Sequence, residues 1–177
     1  MHAETTVATR DAMHALGRRL AELLRAGDLV VLTGDLGSGK TTLTQGLGEG
    51  LGVRGPVTSP TFVIARVHPS EVDGPPLVHV DAYRLGSIAE VDDLDLDASL
   101  EECVTVVEWG QGLVDELAPA RLEVAITRPR GEAPAGAAAH ADDDGDAEQE
   151  AADDVDEPRT VVVDGVGERW DGVRWQA

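Results

Sequence analysis

The sequence predicts an α/β protein built on a mainly parallel central sheet flanked by helices. Short apolar runs recur at residues 29–33, 77–81 and 105–108, the pattern of strands covered on both faces. Helix-spaced stretches alternate with them. The first apolar run also passes directly into a glycine-rich loop and then a helical segment, a strand–loop–helix unit.

The elements follow in order. Residues 11–25 carry Met13, Leu16, Leu20, Leu23 and Leu24 three and four apart, which predicts an amphipathic helix with Thr9 as its N-cap. Residues 26–28 end it, and 29–33 form the first buried strand. The glycine loop leads into a helix over 41–51, and residues 62–68 read as a strand. The runs at 77–81 and 105–108 each end in an acid, Asp81 and Glu108. Between them lies the acidic, leucine-bearing stretch 92–97. Two further strand-like runs, 121–127 and 159–164, form an antiparallel C-terminal hairpin.

The hairpin is interrupted by low-complexity sequence. Residues 132–157 hold 11 acids and no Lys or Arg, in a chain whose formal net charge is −20 from 34 acids and 14 Lys plus Arg. Without that segment the chain carries 23 acids against 14 bases, a net charge of −9. The segment is too poor in apolar residues to offset the entropy of ordering, so it reads as a disordered acidic insertion. One domain is thus expected over residues 1–131 and 158–177. Loop closure entropy grows slowly with length, and a paired hairpin tolerates such an insertion.

Composition excludes several classes. Cys103 is the sole cysteine, so neither an intramolecular disulfide nor a cysteine metal cluster forms. No signal-peptide pattern opens the chain and no apolar run reaches the roughly 20 residues a membrane span needs, so a cytoplasmic protein is expected. An acidic surface repels phosphate backbones, so any work on nucleic acid would go through a basic partner.

The strongest chemical signal is Gly34-Asp-Leu-Gly-Ser-Gly-Lys-Thr41, a full match to G-x-x-x-x-G-K-[ST]. Such a P-loop turns tightly and aims backbone N–H groups at phosphate oxygens. Lys40 reaches the β- and γ-phosphates, and the Thr41 hydroxyl ligates Mg2+. ATP with magnesium is the expected ligand. The glycine doublets at 46–52 follow no buried strand and read as a helix weakened by glycine rather than a second nucleotide loop.

Phosphoryl chemistry needs a further acid for the metal and a group to orient water. Asp81 and Glu108 are the candidates, because the C-terminal ends of parallel strands lie beside the loop. His79 alternates with Asp81 and could pair with it on a metal; with no third ligand nearby it reads as a packed strand residue.

Together these residues resemble the bacterial TsaE family, the ATPase component of tRNA threonylcarbamoyladenosine biosynthesis. Four stretches carry the resemblance: Gly34-Asp-Leu-Gly-Ser-Gly-Lys-Thr-Thr42, Thr58-Ser-Pro-Thr-Phe62, His79-Val-Asp-Ala-Tyr-Arg-Leu85 and Val107-Glu-Trp-Gly110. The resemblance implies a P-loop NTPase in which Leu36, Gly37, Ser38, Gly39, Lys40, Thr41 and Thr42 hold the nucleotide. It implies a switch-like loop at Ser59-Pro60-Thr61, with Thr61 near the γ-phosphate. Thr41, Asp81 and Glu108 would serve the metal, and Glu108, Lys40 and Asp81 the chemistry. Trp109 would shape the site or a partner surface, Tyr83 and Arg84 would brace the Asp81 loop, and Thr9 and Arg10 would lie near the base. The implied partners are the paralogous pair of proteins that build the threonylcarbamoyl transferase, with tRNA reached through them and no membrane.

Two other classes use such a loop. A small-molecule kinase needs arginines in a lid, and here Arg128 and Arg130 merely flank the acidic insertion. A non-hydrolysing ATP-dependent interaction module needs the loop alone. A GTPase is disfavoured, since no N-K-x-D motif occurs.

Overall fold

The computed structural model describes residues 1–60, 64–83, 100–114, 118–128 and 157–175. Seven strands, β1 (His2–Val7), β2 (Leu29–Thr33), β3 (Ala65–His68), β4 (Leu77–Asp81), β5 (Val104–Glu108), β6 (Arg121–Thr127) and β7 (Arg159–Val166), form one sheet. Their order is β1-β7-β6-β2-β5-β4-β3. The helices α1 (Arg10–Ala21) and α2 (Lys40–Leu51) and a short 3-10 turn, Glu168–Trp170, complete the described elements. The fold is therefore mixed α/β, parallel across β6-β2-β5-β4 and antiparallel where β1, β7 and β3 join.

Strands β2, β4 and β5 are buried almost throughout, as their continuous apolar runs require. One core lies between the sheet and the helices and includes Met13, Leu16, Leu20, Leu43, Leu47, Val104, Val106 and Trp170. A smaller core on the opposite face joins Leu29, Val31, Val78, Val80, Val107 and Val114. Cys103 is packed there, and burial raises its thiol pKa, with Glu102 adding to the effect.

The last two strands correct an expectation. They are not an antiparallel addition as a pair: β6 lies parallel to β2, from Leu29↔Arg121 to Thr33↔Ala125, and only β7 reverses. Alternate residues of β6 are buried, so it lacks the continuous apolar run that marked the other parallel strands. Strand β1 was not anticipated either. It pairs with β7 from His2↔Asp164 to Val7↔Arg159, yet only Val7 of its six residues is buried. Strand β3 begins at Ala65 rather than at residue 62. Residues 61–63, the stretch 92–97 and most of the acidic insertion lie outside the described residues.

Helix α1 begins as expected, with the Thr9 hydroxyl accepting the Ala12 N–H at 3.0 Å. It ends earlier, at Ala21, where Leu23 and Leu24 donate to Leu20 and Ala21 in tight three-residue turns. The glycines of α2 serve packing. A Cβ on Gly46 would come within 2.1 Å of the His14 carbonyl oxygen, and one on Gly17 within 2.3 Å of that of Leu43. Glycine at these two crossing points lets the helix backbones meet, which offsets its cost of about 1 kcal/mol against alanine.

An ion pair between half-buried Arg169 and buried Asp28 ties the C-terminal turn to the start of β2. Arg169 Nε and Nη2 donate to the two Asp28 oxygens at 3.1 and 3.0 Å. Nη2 also donates to the Leu23 carbonyl at 2.8 Å, and the guanidinium lies 4.2 Å from the Trp170 ring centroid. Among the described residues no helix is long and apolar enough to cross a membrane.

Candidate functional site

The parallel strands β2, β5 and β4 bring three chemical features to one end of the sheet. Strand β2 delivers the glycine loop. Gly34 leaves the strand at φ 150°, where a Cβ would stand 2.5 Å from the Ile126 carbonyl oxygen, so only glycine fits. Gly39 then takes φ 103° and opens α2 with no side-chain cap. The first N–H groups of α2 thus lack a capping side chain, which suits an anion. Ser38 Oγ is buried in the loop without a hydrogen-bond partner among the described residues, while Leu36 is exposed at its tip.

Lys40 folds back along this loop. Its Nζ donates to the Gly34 and Asp35 carbonyls at 2.9 and 3.0 Å and lies 4.0 Å from the centroid of the Trp109 ring. Trp109 itself has a left-handed backbone, φ 63°, and donates its N–H to Leu32 at 3.0 Å. That conformation is strained for an aromatic residue and is held by the β2 contact and the Tyr83 ring, 5.3 Å away centroid to centroid.

Strand register sets the acids. Glu108 pairs with Leu32 on one side and with Asp81 on the other. Glu108 is buried, and its Oε1 accepts the Thr41 hydroxyl at 3.1 Å. The same oxygen lies 2.9 Å from His79 Nε2, and His79 is wholly buried. Asp81 lies one strand further out. Its Oδ1 accepts the Tyr83 N–H at 3.0 Å, and its Oδ2 lies 3.5 Å from the Ser59 hydroxyl. On the far side of the loop, Arg10, Met13, Gly39, Thr42 and Arg159 line a narrow recess.

The expected residues therefore converge: Lys40, Thr41, Glu108 and Asp81 share one end of the sheet, with Trp109 and Tyr83 above them. Arg10 and Thr42 both line the recess. Thr61, Arg84 and Arg130 lie outside the described residues. Two residues were not foreseen in their places. His79 was read as packing and is instead a buried polar partner of Glu108; the strand pairing that joins them has no local signature. Arg159 reaches the recess from β7, 3.8 Å from where a Gly39 Cβ would be. Next to His79, His68 is held below its ordinary pKa by burial first, then by His79 and Arg66.

The sequence model of the family described as "Threonylcarbamoyl adenosine biosynthesis protein TsaE" matches residues 7–134. The chain belongs to the TsaE family. A TsaE of Streptomyces coelicolor is 61% identical over 159 residues, 89% of this chain and 93% of that one. A TsaE of Mycobacterium tuberculosis is 51% identical over 120 residues, 64% of this chain and 71% of its own. That of Bacillus subtilis is 40% identical over 115 residues, 64% of this chain and 70% of that one. Each of these relatives is named a tRNA threonylcarbamoyladenosine biosynthesis protein. Among solved structures, Bacillus subtilis YdiB superposes with a TM-score of 0.64 at 28% identity, covering 97% of this chain and 90% of that one. All four stretches that carry the TsaE resemblance fall within the matched span.

Proposed function

We propose that this chain binds and hydrolyses ATP with Mg2+ as the ATPase partner of the complex that adds threonylcarbamoyl to adenosine in tRNA. The family and its relatives' names support the tRNA-modification role. The observation that carries the ATPase reading is the Thr41–Glu108 hydrogen bond beside an uncapped α2 N-terminus, with Lys40 along the loop.

The donor set fits the metal. Mg2+ takes oxygen ligands and is held by one or two carboxylates together with substrate phosphates rather than by a protein cage. The Thr41 hydroxyl and the Glu108 carboxylate supply hard oxygens, with Asp81 next to them in register. When bound, the metal would neutralise charge on the β- and γ-phosphates.

The protein's own groups supply the rest. Backbone N–H groups of residues 36–41 cradle the phosphates, and Lys40 leaves the loop carbonyls to pair with the terminal phosphates. Glu108 sits beside Thr41 and either completes the metal shell or holds the attacking water, while Asp81 supports the metal from the adjacent strand. Arg10, Thr42 and Arg159 border the recess that would take the base side of the nucleotide. Acting through partners suits a chain of net charge −20, because the partners and not this surface would hold tRNA.

Phosphate release from ATP, measured with and without the two transferase partners, tests the reading. Release stimulated by the partners supports it. Phosphate transfer to a small acceptor would make the chain a kinase, and tight binding without turnover in either condition would leave an ATP-dependent interaction module.

A further inference from the structure

His79 lies in the interior of the sheet, opposite Val106 of β5 and Arg66 of β3, with its ring fully buried. An imidazole there is costly unless its polar atoms are used. Among the described residues Nδ1 has no hydrogen-bond partner, so Nε2 alone justifies the residue. A carboxylate oxygen accepts, so Nε2–H donates to Glu108 Oε1 at 2.9 Å. That oxygen also takes the Thr41 hydroxyl at 3.1 Å. Two donors, one from β4 and one from α2, thus hold one oxygen of a side chain that otherwise turns about three torsions. Glu108 Oε2 has no hydrogen-bond partner among the described residues and is not among the sealed polar atoms.

We propose that His79 is a positioning residue: it fixes Glu108 Oε1 from beneath, so that Oε2 is presented to metal or water in one orientation. The proposal rests on the ATPase reading. Donors of this kind, one step behind the reacting carboxylate, govern its orientation, and their loss costs about 10–100-fold in activity or metal affinity. A leucine would fill the volume but leave Glu108 free to rotate. A glutamine places an amide N–H near the position of Nε2. An asparagine carries the same amide on a side chain one carbon shorter and does not reach.

The test compares His79→Leu, His79→Gln and His79→Asn with the wild type in the presence of the partners. His79→Leu and His79→Asn should lose about 30-fold in kcat, with KM for ATP changed less than about threefold. His79→Gln should recover most of the loss. A second readout is binding of a non-hydrolysable ATP analogue with Mg2+ and with EDTA. The affinity gained from Mg2+ should shrink in His79→Leu and His79→Asn and persist in His79→Gln. Urea unfolding of all four proteins ranks stability separately. The proposal is overturned if His79→Leu turns over like wild type, or if kcat merely follows the stability ranking, with glutamine no better than asparagine. A wild-type protein that releases no phosphate with its partners overturns the ATPase reading and the proposal with it.

Discussion

The Thr41 hydroxyl donates to Glu108 Oε1 across 3.1 Å, joining the first turn of α2 to the last residue of β5. Strand order makes this contact: β5 lies directly against β2, whose end launches the glycine loop, whereas Asp81 arrives one strand later on β4. Glu108 is therefore the acid closest to the loop's own hydroxyl among the described residues of the sheet, which gives it the central role in the proposed hydrolysis.

Lys40→Ala should weaken ATP binding by about 10- to 150-fold, since hydrogen bonds to charged groups contribute roughly 1.5–3 kcal/mol. Lys40 packs against loop carbonyls and the Trp109 ring rather than in the apolar core, so the melting temperature should move by only a few degrees. Calorimetric titration alongside thermal melting checks both. Near-wild-type affinity would remove the loop from nucleotide binding.

Arg169→Ala should destabilise the protein by about 3 kcal/mol, because it strands the buried Asp28 carboxylate without its bidentate partner. For a chain of this size that is a fall of roughly 6–12 °C in Tm. Loss of less than about 1 kcal/mol in urea unfolding would mean that the Arg25 N–H, which donates to Asp28 Oδ2 at 2.9 Å, suffices for the carboxylate together with water.

Stability should fall as the medium is acidified through the range in which His68 titrates. Its pKa in the folded protein lies below the ordinary 6.5, so the unfolded chain takes up the proton first. The contribution is complete above pH 6.5 and is lost as the pH drops below it toward the folded value. Urea unfolding at several pH values between 8 and 5 should show a steeper loss for wild type than for His68→Gln. Parallel curves would assign the slope to other groups.

Replacing residues 132–157 with a short Gly/Ser turn should leave folding and ATP hydrolysis intact. Strands β6 and β7 pair continuously from Arg121↔Val166 to Thr127↔Thr160, so their ladder is formed without the acidic segment. The change removes 11 acids and raises the net charge from −20 to −9. The deletion should leave partner affinity unchanged at both low and high salt. A salt-dependent loss on deletion would show that the segment docks electrostatically on the partners.

Much of this was legible because buried parallel strands write continuous apolar runs, and β2, β4 and β5 do so, with Asp81 and Glu108 closing the last two. The glycine loop was legible from spacing alone. Strand β6 was misplaced because one of its faces remains only partly covered, which gives it the alternating pattern of an antiparallel strand. Strand β1 was missed because its polar residues are stabilised mainly by the ladder to β7, a partner more than 150 residues away in sequence. His79 was read as packing for a similar reason: its partner stands on another strand, 29 residues on, and no local pattern links them.

Magnesium-dependent phosphate release from ATP, in the presence of the two transferase partners, tests the central claim in wild type and Glu108→Gln. The wild type should turn over and the variant should lose about 100-fold, with ATP affinity within about threefold. Equal turnover in the two proteins, or none in the wild type, would contradict it.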